Sequence, residues 1–233
     1  MGRTSTIYQY DKDTRQQILN YGSDSTSHLI FIHGGAWRDP NNTHHDIDQL
    51  LKYLPQNISI WSIDYRLSPQ VKHPVHEQDV ILALEKIHQL IEEKHGSIEG
   101  RKISLMGHSA GVSLALRTFD QVPKLKINKL ILLDGIYDLT KLIEEYPDYQ
   151  GFVNEAFDNY QDVSFLTSDQ LNNVNIHVFQ SYNDELLSKT QTEWFLDQLH
   201  QKGIDYTYTL GNFGKHEDVY QNEKIASYIT SLY

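Results

Sequence analysis

The chain has 233 residues, 39% of them hydrophobic, and a formal net charge of −11 at pH 7. That length suits one α/β domain, taken here as residues 1–233, and the acidic excess argues against nucleic acid or an anionic membrane surface as partner. With no cysteine in the chain, disulfides, a thiolate nucleophile and Cys-ligated zinc are all excluded.

The opening residues, Met1-Gly2-Arg3-Thr4-Ser5-Thr6, lack the apolar stretch of a signal peptide, so a cytoplasmic protein is expected. They also fit the loose Met-Gly-x-x-x-Ser/Thr pattern for myristoylation of Gly2. Asn41-Asn42-Thr43 and Asn57-Ile58-Ser59 match the glycosylation sequon, which matters only on the secretory path. No apolar run approaches a membrane span; residues 29–32 and 130–133 are of buried-strand length.

Short apolar strands alternate with amphipathic helices, which implies a mostly parallel sheet covered on both faces. Residues 28–33 read as a buried strand ending at Gly34-Gly35, and 46–54 as a helix with Ile47, Leu50, Leu51 and Leu54 on one face. A strand over 59–65 leads into Arg66-Leu67-Ser68-Pro69. A long helix over 75–94 carries Val80, Ile81, Leu84, Ile87, Leu90 and Ile91 on one side. The strand before Ser109 follows, then a helix over 110–121 that stops before Pro123. Strands over 129–133 and 176–181, a helix over 190–202 closed by Gly203, a strand over 206–210 and a helix over 222–232 complete the pattern. Residues 140–173 fit the alternation worst. They are acidic and aromatic, with Tyr146, Tyr149, Phe152, Phe157 and Tyr160, and read as a small cap inserted over the site.

Gly107-His108-Ser109-Ala110-Gly111 breaks an apolar run with a Gly-x-Ser-x-Gly pentapeptide, the turn that presents a serine nucleophile between strand and helix. A serine hydroxyl needs a base within reach, and the base needs an orienting acid. In this arrangement the acid follows a later strand and the histidine follows the last one. Asp184, after strand 176–181, is assigned as the acid and His216, after strand 206–210, as the base. Glu185 competes for the acid role, but Leu186-Leu187 suggests a helix start that turns it outward. Asp134, after strand 129–133, is a further alternative whose Gly135-Ile136-Tyr137 continuation looks more like a substrate-side loop. Most of the other histidines read as solvated, and His108 need not take part in the chemistry. His44-His45-Asp46-x-Asp48 reads as a solvated helix entry, so no metal and no cofactor is assigned. His33-Gly34-Gly35-Ala36-Trp37 follows an apolar strand where this fold builds one side of an oxyanion hole; Gly34 or Gly35 supplies one donor and Ala110 the other.

These segments, with Asp64-Tyr65-Arg66-Leu67-Ser68-Pro69, Leu132-Leu133-Asp134-Gly135-Ile136-Tyr137-Asp138-Leu139 and Ser181-Tyr182-Asn183-Asp184-Glu185-Leu186-Leu187, resemble fungal kynurenine formamidase (arylformamidase) of the α/β-hydrolase superfamily. The likeness runs from about residue 5 to the C-terminus and includes Glu145-Tyr146-Pro147. The His-Gly-Gly-x-Trp form is its most telling part, because related esterases usually carry a third glycine there. The resemblance implies hydrolysis of N-formyl-L-kynurenine to L-kynurenine and formate, with Ser109, Asp184 and His216 as the triad, and suggests a homodimer. The arylamine would stack on aromatics such as Trp37, Tyr137, Tyr146 or Phe213. A carboxylesterase acting on small acyl groups shares every catalytic element and is the alternative. A non-catalytic relative would have lost the serine or the histidine, and this chain keeps both.

Overall fold

The computed structural model describes residues 3–22 and 24–233; Gly2, the candidate myristoylation site, lies outside the described residues. Eight strands form one sheet: β1 (Ser5–Gln9), β2 (Gln17–Tyr21), β3 (Ser27–Ile32), β4 (Ile58–Ile63), β5 (Lys102–His108), β6 (Ile127–Leu133), β7 (Asn175–Ser181) and β8 (Tyr206–Gly211). Their order is β1-β2-β4-β3-β5-β6-β7-β8. β1 and β2 pair antiparallel with their neighbours and all the other pairings are parallel. The mostly parallel sheet expected from the strand–helix alternation is therefore present.

The central strands are apolar along their length because both faces are covered. Every residue of β3 and of β4 is buried. Ile30, Ile32, Leu105, Leu130, Leu132 and Val178 point into one core. Their neighbours Leu29, Phe31, Met106, Ile131, Leu133 and Phe179 point into the other, as the two-residue period of a strand requires. The first core is covered by α1 (Val75–His95), α2 (Ala110–Thr118) and α5 (Thr190–Gln201). The second is covered by α6 (Glu223–Ser231) and a 3₁₀ helix, Asp46–Lys52.

Three expectations from the sequence are revised. β1 and β2 are additional to the expected pattern: β1 is a short, mainly exposed edge strand with no clean alternation of apolar and polar residues, and β2 buries only three residues, one of them Asn20. The helix expected over 46–54 has the tighter 3₁₀ winding and ends at Lys52. The helix after the elbow stops at Thr118, and a turn fills the interval to Pro123.

The segment singled out as a cap contains α3 (Leu139–Glu145), α4 (Gln150–Ala156) and short 3₁₀ turns at Pro147–Tyr149, Tyr160–Asp162 and Asp169–Asn173. No helix is long and apolar enough to cross a membrane among the described residues. Because β3, β5, β6, β7 and β8 run parallel, the loops following their C-terminal ends gather at one edge of the sheet. That edge carries His33–Trp37, Ser109, Asp134, Asp184 and His216, and it is where open α/β sheets place their sites.

Candidate active site

Ser109 sits between β5 and α2 with φ 53° and ψ −119°, a conformation that L-residues avoid unless the surroundings impose it. The surroundings do so here. The Ser109 N–H donates to the Leu133 carbonyl at 3.0 Å, and the Ile136 N–H donates to the Ser109 carbonyl at 3.2 Å. A Cβ on Gly107 would collide with the carbonyl of Gly111, and one on Gly111 with the carbonyls of Ile32 and His33. The pentapeptide spacing is thus a steric requirement of packing α2 directly onto β3 and β5. The side chain faces a cavity of about 270 Å³ at the sheet edge.

His216 lines the same cavity and is 3% exposed. Its Nδ1 lies 2.7 Å from Asp184 Oδ2, and the Asp184 side chain is itself 1% exposed. Asp184 Oδ1 accepts from the N–H groups of Leu186 at 2.8 Å and Leu187 at 2.9 Å, so one carboxylate oxygen anchors the loop and the other faces the imidazole. Glu185 does not turn away as expected, since α5 starts only at Thr190. Its Oε2 accepts the backbone N–H of His216 at 3.0 Å. The two neighbouring acids divide the histidine between them, Asp184 taking the ring and Glu185 the main chain. Ser109 Oγ makes no hydrogen bond among the described residues, and such contacts often tighten only around substrate.

The third element is the turn after β3. Gly35 and Ala36 line the cavity with Ser109, while Gly34 packs behind, where a Cβ would lie 3.0 Å from the Ser109 Cβ. The N–H groups of Gly35 and Ala36 have no backbone partner among the described residues, and neither has that of Ala110, the first residue of α2. Ala36 was not singled out from the sequence. Its φ of 49°, with Trp37 at 59°, marks a turn whose shape depends on tertiary support.

That support comes from Asp64 and Tyr65. The Tyr65 hydroxyl donates to the carbonyls of His33 and Gly34, both at 3.1 Å, and its ring stacks on His33 at 4.5 Å. Asp64 Oδ1 accepts from His33 Nε2 at 3.1 Å and from Arg15 Nη2 at 2.7 Å, and His44 Nδ1 lies 3.4 Å from its Oδ2. Burial alone would raise the Asp64 pKa, but the contacts with His33 and His44 and the charge of Arg15 hold it well below the carboxylate range. His44 and His45 do not act together: the first faces Asp64 and the second Asp48.

One ligating atom each from Asp134, Asp184 and His216 lies within 4.8 Å of the others. Two of those side chains are already engaged with one another across the 2.7 Å contact between His216 Nδ1 and Asp184 Oδ2.

The aromatic residues around the cavity differ from those expected. Trp37 is fully buried, with its ring edge-on to Phe157 at 4.9 Å. Tyr137 is buried and stacked on Phe195, and Phe213 lies in the core beneath the sheet. None of the three lines the cavity, because close packing of the core claims them first. Tyr146 stands one layer back, stacked on Tyr149 and accepting the Ser188 N–H at 2.8 Å. Tyr149 and Phe152, from the 140–173 segment, line the cavity instead. Arg38 lies over the Phe152 ring at 5.7 Å and pairs with Glu155, while Asp39 and Glu217 supply negative charge on the same cavity wall. Nothing in the local spacing of these residues marks them, since they meet only through the fold-back of 140–173.

Residues 29–224 match the α/β hydrolase fold family. The chain is 44% identical to the kynurenine formamidase of Meyerozyma guilliermondii over 97% of its own length and 93% of that protein. It is 36% identical to the kynurenine formamidase of Eremothecium gossypii over 96% and 98%. Among solved structures, a truncated carbohydrate esterase from gut microbiota superposes with a TM-score of 0.76 at 16% identity, covering 99% of this chain and 95% of that one, which speaks for the fold.

Proposed function

The chain belongs to the kynurenine formamidase family of α/β hydrolases, and on that footing we propose that Ser109, Asp184 and His216 are the triad with which it hydrolyses N-formyl-L-kynurenine to L-kynurenine and formate. The observation that carries the residue assignment is the buried 2.7 Å contact between His216 Nδ1 and Asp184 Oδ2 on the cavity that Ser109 lines.

In this reading His216 Nε2 removes the Ser109 proton as Oγ attacks the formyl carbon. Asp184 holds the ring in the Nδ1–H tautomer and stabilises the imidazolium. The tetrahedral oxyanion is held by the N–H of Ala110 with that of Gly34, Gly35 or Ala36, each donor contributing roughly 3–4 kcal/mol. The C–N bond breaks as His216 returns its proton to the departing arylamine, leaving a formyl ester on Ser109. Water, deprotonated by His216, then attacks that ester; formate leaves and Ser109 recovers its proton.

Formyl is the smallest acyl group, which suits a turn that closes against Ser109. The aryl ring has Tyr149 and Phe152 beside it, and we assign segment 140–173 as the cap that brings them there. Arg38 offers a guanidinium to the substrate carboxylate, and Asp39 and Glu217, which line the same cavity, offer carboxylates to its ammonium group. A cytoplasmic setting and a homodimer belong to the same proposal. The homodimer rests on the family resemblance.

The test is catalytic efficiency on N-formyl-L-kynurenine beside p-nitrophenyl acetate, from one preparation. A strong preference for the formamide is expected. Ester turnover with no formamide cleavage would leave a carboxylesterase.

A further inference from the structure

Asp134 is an acid beside the triad that the reaction above leaves without a role. It follows β6 with φ 40° and is fully buried. Its Oδ1 accepts the Ser181 N–H at 2.8 Å, which ties the ends of β6 and β7 together. Its Oδ2 is buried and has no hydrogen-bond partner among the described residues. One of its oxygens lies within 4.8 Å of an oxygen of Asp184 and of a ring nitrogen of His216.

Two carboxylates in one dry site cannot both stay ionised, because their repulsion adds to the cost of burying each charge. The donors decide which keeps its charge. Asp184 has the N–H groups of Leu186 and Leu187 and the ring of His216, whereas Asp134 has the Ser181 N–H alone. An unpartnered oxygen beside a carboxylate that already holds three donors finds its bond only if it carries the proton.

We propose that Asp134 is a positioning residue, a neutral carboxylic acid whose Oδ2–H donates to the Asp184 carboxylate and holds it against His216. The charged and titratable groups facing it are Asp184 and Glu185 from the loop after β7, His216, Tyr208 from β8 and Tyr137 from its own loop. Burial and the negative charge of Asp184 raise its proton affinity well beyond that of an ordinary carboxyl; the Ser181 N–H works the other way, and the charge of Glu185 adds a smaller push upward. The pair then carries one negative charge at neutral pH. At alkaline pH the proton leaves, the carboxylates repel, and Asp184 loosens its hold on the imidazole.

The proposal rests on the triad assigned above, and its test separates the two. The full chain is made as wild type, Asp134→Asn and Asp134→Ala, and kcat and KM on p-nitrophenyl acetate are followed against pH. Asparagine keeps an oxygen for Ser181 and presents an N–H to Asp184, and it tolerates positive φ. Asp134→Ala is expected to lower kcat about tenfold with little change in KM, Asp134→Asn to recover most of that loss, and the alkaline fall of the wild type to vanish in Asp134→Asn. Infrared spectra of protein labelled with ¹³C-aspartate should show a protonated-carboxyl band at neutral pH that Asp134→Asn removes. That band needs no turnover, so it stands even if Ser109 is not the nucleophile or if Asp134→Ala fails to fold. A band unaffected by Asp134→Asn, an alkaline limb the same in both proteins, or equal losses in Asn and Ala would overturn the assignment.

Discussion

The imidazole of His108, next to the candidate nucleophile, holds the backbone of the candidate base. Its Nε2 lies 3.0 Å from the His216 carbonyl, and the rings are 4.6 Å apart. Complete burial, with the nearby His216, pushes the His108 pKa well below the ordinary value, so the ring stays neutral and Nε2 carries the donated hydrogen. A residue that reads as variable in the pentapeptide therefore links β5 to the loop after β8. His108→Leu should leave that carbonyl unpaired. We expect a stability loss of about 1–3 kcal/mol, seen as a lower melting temperature, and a fall in kcat larger than the change in KM. Unchanged values of both would show that the bond contributes nothing.

For the nucleophile, Ser109→Ala is expected to abolish turnover on both amide and ester while leaving the melting temperature nearly unchanged. More than a tenth of wild-type activity would remove Ser109 from the role.

The neighbouring acids give a sharper contrast. Asp184→Asn should lower kcat on the order of 10⁴-fold, as loss of the orienting acid does in related triads. Glu185→Gln keeps an oxygen for the His216 N–H and should cost only a few-fold. Equal losses would transfer the acid role to Glu185.

Asp64 predicts a pH effect on stability. Its folded pKa is depressed, so the unfolded chain binds its proton more readily and stability rises with pH across that window. The contribution is complete above the unfolded pKa of about 3.9 and is lost as pH falls towards the folded value. Asp64→Asn should therefore melt well below wild type at pH 7, and the gap should narrow below about pH 4. A gap constant with pH would mean that packing, and not the charge, is what Asp64 supplies to the His33–Trp37 turn.

Arg38 tests the substrate end of the cavity. Arg38→Ala should raise KM for N-formyl-L-kynurenine roughly tenfold, about the worth of one charge-assisted hydrogen bond. Efficiency on p-nitrophenyl acetate, which has no carboxylate, should stay within about twofold. A parallel loss on both substrates would assign Arg38 to the cap through Glu155 and Phe152.

What the chain determines by itself are the features enforced over a few residues. Glycine at 107 and 111 is demanded by contacts at the elbow, and the apolar runs of β3 through β7 announce strands buried on both faces. The order of serine, acid and histidine follows from which strand each one trails. β1 was not legible, since an exposed edge strand needs no hydrophobic pattern, and β2 buries only Ile18, Leu19 and Asn20, too short a run to announce a strand.

Tertiary structure alone decided matters that depend on where a side chain points once distant segments pack. Asp184 and Glu185 are adjacent in the chain, yet one meets the imidazole and the other the main chain, because the loop closes with Asp184 Oδ1 on two backbone N–H groups. Trp37 looked like a stacking surface and became core, while Tyr149 and Phe152 reached the cavity by the folding back of their segment. Asp134 faces Asp184 only because β6 and β7 are neighbours in the sheet. Sequence spacing records which strand a residue follows; only packing decides which of its neighbours a carboxylate will touch.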